Sequence, residues 1–390
     1  MAYSPTPLEE LLTATVARRK VSIGLPKPQG ADKRFPLTPE AAGMLAERGF
    51  AVKIEAGGAD SIHYGDFKYQ ELGASIVDRA EALRCDIVIC LTPLALPDAR
   101  ALKRGSMLLT LFDSALLEAR VLAQLLASHV ITIALDLIID DRGHMPIADI
   151  LSEISGRASV AIASSLLADA VHGKGILLGG IAGIVPCEVT IIGSGIDARA
   201  AARSALGLGA TVRMFDNDTY RLRAALFDLG PGVAGSVLHP RVLLNALRSA
   251  DVVVATPVKP AFVISSDVVG EMKRGVITFD LGNGRQPAFP SLRQVDLGQA
   301  SASDNTMDGQ RVCYVRPGNA VPRTAAMGLS NTLLTMLSEI FSCDGFSNAL
   351  MLNSGLQGAA LTFLGKPTNP AVAKALGVRQ VDIKLILQFS

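Results

Sequence analysis

Apolar residues along this chain fall into short runs separated by amphipathic stretches, and the alternation continues almost from end to end. From residue 21 to about 151, β-like runs at 21–25, 51–55, 75–78, 86–91, 107–112 and 130–135 alternate with helix-like segments at 39–48, 67–72, 79–83, 97–103 and 114–128. Strands alternating with helices imply βαβ units and a mainly parallel sheet. A long helical stretch of low charge follows at 151–172, then a glycine-rich loop at 173–186. A second series of strands is predicted at 188–192, 211–216, 251–255, 276–280 and 311–315, with helices at 241–249 and 265–273. From Pro322 an apolar helix runs to about residue 341, and the tail has helical periodicity around 371–376 and 381–387. The pattern predicts an α/β protein of two doubly wound domains, a Rossmann domain and a Rossmann-like one, joined by two crossing helices. The boundaries read as 1–151 plus 320–390 for one domain and 152–319 for the other, with the tail packed on the first domain or on another subunit.

Within the second series one stretch carries chemistry. Glu188-Val-Thr-Ile-Ile is followed by Gly193-Ser-Gly195-Ile196-Asp197-Ala198, an alanine-rich helix, a second apolar run and Asp216 at its end. A Gly-x-Gly-x-x-Ala turn between a strand and a helix is a dinucleotide site: Gly193 allows the turn, Gly195 lets backbone approach a pyrophosphate, and Ala198 lets the helix pack down on the strand. The helix N-terminus then faces the phosphates. Asp216 lies about 20 residues on, the offset of an acid that binds ribose hydroxyls, which favours NAD over NADP although Arg213, Arg221 and Arg223 flank it. Asp197 is a discordant charge beside phosphate; either Arg199 and Arg203 compensate it or it points outward.

Composition narrows the partners. Residues of hydrophobic type make up 49% and charged ones 19% of 390, enough apolar surface for a large core and for contacts between subunits. A formal net charge of +1 and no tryptophan give no electrostatic or stacking case for nucleic acid, nor for an anionic membrane. The five cysteines form no C-x-x-C pair and read as buried, reduced thiols of a cytoplasmic protein. Glu9 and Glu10, with no apolar h-region, argue against a signal peptide. No spacing of His, Cys, Asp and Glu demands a metal.

Several runs together resemble the alanine dehydrogenase and pyridine nucleotide transhydrogenase family. They are Ile23-Gly-Leu-Pro-Lys27, Lys33-Arg34-Phe-Pro-Leu-Thr38-Pro39, Ser152-Glu153-Ile-Ser-Gly156-Arg157, Gly179-Gly-Ile-Ala-Gly183-Ile-Val-Pro186, the glycine turn, and Arg316-Pro-Gly-Asn-Ala-Val-Pro322-Arg323-Thr324. The resemblance implies a two-domain dehydrogenase with its site in the interdomain cleft, a small amino acid or 2-oxo acid as substrate, NAD as cofactor, and a homo-oligomer, dimer or hexamer. By the same resemblance Arg34 grips the substrate carboxylate, and Ser152, Thr256 and the backbone at Leu281 and 316–318 contact the cofactor. The family's substrate lysine falls on Thr92, its catalytic histidine on Asp113, and its catalytic aspartate near Asn283 or Gly284. Asp113 therefore has two readings: an acid, base or amine-binding group, or a cap for the helix predicted to start near Ser114. Four functions stay open: an amino-acid dehydrogenase with altered catalytic groups, an imine or opine reductase on the same scaffold, a catalytically silent NAD(H)-binding regulator, and a soluble transhydrogenase-like module.

Overall fold

In the computed structural model, which describes residues 20–113, 117–282, 286–298, 311–342 and 346–388, the apolar runs form two separate sheets. The first takes β1 (Ser22–Leu25), β2 (Ala51–Glu55), β3 (Ser75–Val77), β4 (Ile87–Ile89), β5 (Met107–Thr110) and β6 (Ile131–Ala134). The second takes β7 (Glu188–Ile192), β8 (Thr211–Phe215), β9 (Val233–Ser236), β10 (Val252–Ala255), β11 (Ile277–Asp280), β12 (Arg293–Asp296) and β13 (Val312–Val315). Two late strands, β14 (Ala360–Phe363) and β15 (Lys366–Pro367), return to the first. The orders are β15-β14-β6-β5-β4-β1-β2-β3 and β12-β13-β11-β10-β7-β8-β9.

β1 to β6 pair in parallel, as do the strands of the second sheet. In each sheet the chain steps one way from its first strand and then reverses, which leaves a crevice at the carboxyl ends of β1 and β4 and of β7 and β10. β5, β6, β10 and β11 are buried along their whole length, the reason they read as continuous apolar runs. This is the two-domain, doubly wound α/β architecture that the alternating pattern predicts.

The helices differ from the sequence reading: Thr219–Leu229, Phe346–Leu352 and Ser354–Ala359 are additional, and two others have different bounds. The segment expected at 114–128 yields a helix at Ala119–Ala127 with Glu118 at its N-cap; residues 114–116 lie outside the described residues. Glu118 rather than Asp113 stands at the start of the described helix, and the residues that Asp113 is expected to cap lie outside the described ones. The first crossing helix spans Pro146–Ala168 rather than 151–172. Pro146 pre-sets the backbone of its first turn, and beyond its end Asp169 accepts the N–H groups of Val171 and His172. Ile147 near its start lies in the core of the first sheet, whereas Val160, Ala163 and Leu167 lie in that of the second. The returning helix, Pro322–Ser342, adds Ala326, Leu329, Leu333 and Leu337 to the first core, and its Ser330 hydroxyl accepts the N–H of Thr38 at 2.8 Å.

Four strands escaped the pattern. β9 and β12 are sheet edges with polar, partly exposed positions, and β14 and β15 are antiparallel additions from the tail. Thr362 fixes the tail to β6 by donating to the Val130 carbonyl at 2.9 Å. Cys85, Cys90, Cys187 and Cys313 are buried free thiols; Cys343 is outside the described residues.

Candidate functional site

At the second crevice the glycine turn is held by β10. Gly193 leaves β7 with φ 106°, and a Cβ there would lie 1.9 Å from Thr256 Oγ1. Only glycine permits this approach, through which Thr256 donates both its N–H (2.8 Å) and its hydroxyl (2.9 Å) to the Ile192 carbonyl. Gly195 stands at the N-cap of the helix Ile196–Gly207, and Ala198 in its first turn is fully buried. Leu281 donates its N–H to Ala255 at 2.8 Å, closing the neighbouring strand end. Ser152 is half-buried on the crossing helix, one turn before Gly156, where a Cβ would lie 2.1 Å from the Asp197 carbonyl. The crossing helix thus bears directly on the first turn of the glycine-turn helix. The bare backbone at Gly193 and Gly195 beside a helix N-terminus fits a pyrophosphate.

The charges around this turn are not those expected. Asp197 is 9% exposed and points inward, its carboxylate accepting the N–H of Ala198 at 2.8 Å. Burial pushes its carboxyl up to about 6, against the opposing influence of that N–H and of Arg221. The expected counter-ions are elsewhere: Arg199 turns to Asp228 (2.9 Å) and the Ser194 carbonyl (3.1 Å), and Arg203 is exposed. Arg221 takes their place, since a Cβ on Gly195 would lie 2.8 Å from Asp197 Oδ1 and 3.3 Å from Arg221 Nη2. Arg213 pairs with Glu188 at 3.2 Å and Arg223 lies over the Tyr220 ring. Asp216, at the end of β8, is 1% exposed and accepts from the Ser194 hydroxyl (2.6 Å) and the Asp218 N–H (2.9 Å). Each oxygen keeps a second acceptor site, so a ribose hydroxyl would have to share the carboxylate with Ser194.

At the first crevice Arg34 follows β1. Asp32 holds its guanidinium along one edge, with Nε at 2.9 Å from Oδ1 and Nη2 at 2.5 Å from Oδ2, both side chains about 15% exposed. Burial works against the ionised Asp32, but the bonds and charge of Arg34 prevail and keep its carboxyl below the ordinary range. Among the described residues nothing is bonded to the other edge of the fork, whose planar geometry suits a carboxylate. Thr92, after β4, is half-buried and accepts the Cys90 thiol at its carbonyl (3.2 Å). Asp113, after β5, is half-buried. Asn283 and Gly284 lie outside the described residues.

Sequence reading missed two acids here. One is Asp32. The other is Asp136, just past β6, which accepts the Phe112 N–H at 2.7 Å and is acted on by the charges of both Arg34 and Asp113. Both were open to one rule, that ligands sit at the carboxyl ends of parallel strands.

Loops of the two sheets meet beside Asp32. A Cβ on Gly298, past β12, would lie 2.4 Å from the Ala31 carbonyl, beside Asp32. Arg316, left-handed at φ 51°, binds Asp296 at 2.8 Å, and its charge also acts on Asp32.

Known proteins match along nearly the whole chain. Residues 25–156 match the family described as alanine dehydrogenase/PNT, N-terminal domain, and residues 159–370 its C-terminal domain. Alanine dehydrogenase of Staphylococcus saprophyticus is 30% identical over 377 residues, covering 94% of this chain and all of that one. That of Mycolicibacterium smegmatis is 27% identical, covering 92% and 98%. Among solved structures, an L-alanine dehydrogenase superposes with a TM-score of 0.81 at 24% identity, covering 92% of this chain and 99% of its own. A transhydrogenase from Sinorhizobium meliloti gives 0.72 at 17%, covering 90% and 100%.

Proposed function

The chain belongs to the alanine dehydrogenase/PNT family, and on that premise we propose that it is an NAD-dependent L-amino-acid dehydrogenase, interconverting a small amino acid with its 2-oxo acid and ammonium. The observation that carries the reading is the approach of Gly298 and Arg316, from the sheet that bears the glycine turn, to the loop in which Asp32 orients the Arg34 fork, which supports one cleft between them. Gly193, Gly195, Ile196, Asp197, Ala198, Asp216, Arg221, Ser152, Thr256 and Leu281 form the NAD site in this proposal. Bound there, NAD⁺ supplies the nicotinamide that takes up the substrate hydride.

The chain's own groups do the rest. The free edge of Arg34 binds the substrate carboxylate and fixes the Cα. Thr92 offers a hydroxyl as a hydrogen-bond partner but no charge. Asp113 brings a carboxylate to the same strand edge, as acid, base or amine contact.

We further propose the domain division 1–151 with 320–390 and 152–319, supported by β14 lying in the first sheet. A cytoplasmic homo-oligomer is part of the same reading. It is supported by exposed apolar residues around the glycine-rich loop, among them Val171, Leu177, Ile181, Ile184 and Val185.

A panel of L-amino acids with NAD⁺, and of 2-oxo acids with NADH and ammonium or larger amines, tests the proposal by nicotinamide absorbance. Turnover of a free L-amino acid is the expected result. Reduction only with a larger amine would mark an imine or opine reductase. Tight NADH binding with no turnover at all would mark a silent regulator.

A further inference from the structure

The strand edge that carries Arg34 also carries a carboxylate whose position is set by the main chain. β5 and β6 run side by side with Thr110 opposite Ala134, so their ends deliver Phe112 and Asp136 together. The Phe112 N–H then ties down Asp136 Oδ1 at 2.7 Å. Arg34 is close enough for its charge to act on Asp136, yet its guanidinium is bound to Asp32 instead. Asp136 is thus not the ion-pair partner of Arg34, and the outer side of the Arg34 fork and the Asp136 carboxylate are separate groups of opposite sign that a zwitterionic α-amino acid can bridge.

We propose that Asp136 binds the α-ammonium group of the substrate and accepts its proton. The assignment rests on the dehydrogenase reading above. In the step, one N–H bond of the ammonium breaks and its proton passes to Asp136, leaving a neutral amine and a neutral carboxylic acid. The nitrogen lone pair freed in this way is what lets the adjacent C–H bond be oxidised. Burial already weakens Asp136 as an acid, opposed by the Phe112 N–H and Arg34 and reinforced by the Asp113 charge, which makes it a better base than an exposed aspartate. Asp113, at the neighbouring strand end, tunes this base by its charge.

Asp136→Asn keeps an oxygen for the Phe112 N–H and removes the base. The full chain is assayed with NAD⁺ and L-alanine, L-valine or L-ornithine, and pyruvate binding to the NADH complex is measured by calorimetry. Asp136→Asn should lower kcat/KM for whichever amino acid turns over by about 100-fold or more and abolish the acid limb of its pH profile. Pyruvate, which has no ammonium, should bind as before. Asp136→Glu should recover part of the rate, and Asp113→Asn should move the acid limb to lower pH. Undiminished activity of Asp136→Asn with an unchanged pH profile would overturn the assignment and leave the dehydrogenase reading standing. Equal loss of pyruvate binding would overturn it too, since the role would then be structural. A wild-type chain that binds NADH but oxidises none of the three amino acids would overturn the dehydrogenase reading and this assignment with it.

Discussion

Replacing Asp197 by asparagine should make this protein both more stable and a tighter binder of NADH. The carboxyl is pushed from 3.8 to about 6 by burial at the first turn of the helix after Gly195. A folded-state value above the unfolded one stabilises the fold when the group is protonated, and the benefit is lost as pH rises through about 6. At about 1.4 kcal/mol per unit, the ionised side chain burdens the native state by about 3 kcal/mol at pH 7.5, and about half that near pH 5. Asparagine keeps the bond to the Ala198 N–H without the charge, so its melting temperature should rise by several degrees at pH 7.5 and by less at pH 5.

The same charge faces the pyrophosphate position over Gly195. At about 5 Å and an effective dielectric of about 20, an ionised Asp197 would repel a phosphate charge by about 3 kcal/mol. Protonating it at pH 7.5 costs only about 2 kcal/mol, so binding should proceed with proton uptake. NADH affinity of the wild type should then improve by up to about tenfold per unit as pH falls from 8 to 6, and level off below. Asp197→Asn should bind up to about 30-fold tighter at pH 7.5 with little pH dependence. Fluorescence titration with NADH measures the affinities, and calorimetry in buffers of different ionisation heat counts the protons. Wild-type affinity that stays flat from pH 6 to 8, with no gain in Asp197→Asn, would refute the argument and leave Arg221 as sufficient compensation.

Other perturbations reach other parts of the cleft. Asp32→Asn removes the charge-assisted bonds that orient Arg34, and the loss of about 1.5–3 kcal/mol should raise KM for the amino acid by about 10- to 100-fold with the smaller effect on kcat; steady-state kinetics that show an unchanged KM would mean that Arg34 needs no such support. Gly156→Ala places a methyl group 2.1 Å from the Asp197 carbonyl and should cost about 1–3 kcal/mol by overpacking. Thermal unfolding reads that cost, and NADH titration should show weakened binding as the turn shifts; a wild-type melting curve would show that the two helices have room to part.

What the sequence makes legible depends on how local each cause is. The turn from β7 is legible because strand, turn and helix follow consecutively, although Thr256, whose side chain demands glycine at 193, comes from beyond β10. The central strands are equally plain because burial on both faces leaves few polar positions in them. Asp136 is different. Its meaning arises only when β5 and β6 come to lie side by side, so its nearest chemical neighbour, Phe112, is 24 residues away. Arg221 likewise reaches Gly195 from the helix beyond β8, which is why Arg199 and Arg203, nearer in sequence, were the wrong counter-ions to Asp197. The inner edge of Arg34 shows a third kind of blindness, since periodicity carries no information about which acid a loop folds back upon. β15 exists only by pairing with β14, and β14 escaped because its neighbour β6 was laid down more than 200 residues earlier.

That last pairing bears on the order in which the molecule is made. Every strand of the second sheet has been synthesised once Val315 is reached, so that half can close while the chain is still growing. The first half cannot. Its β6 edge waits for Ala360–Phe363, and part of its core waits for Leu329, Leu333, Leu337 and Leu356. For the time that translation takes to cover that distance, a strand whose residues are all buried in the finished protein has one side unpaired. A chain cut short before residue 360 would carry that open edge permanently, and its fate would be association with other chains rather than a smaller working protein.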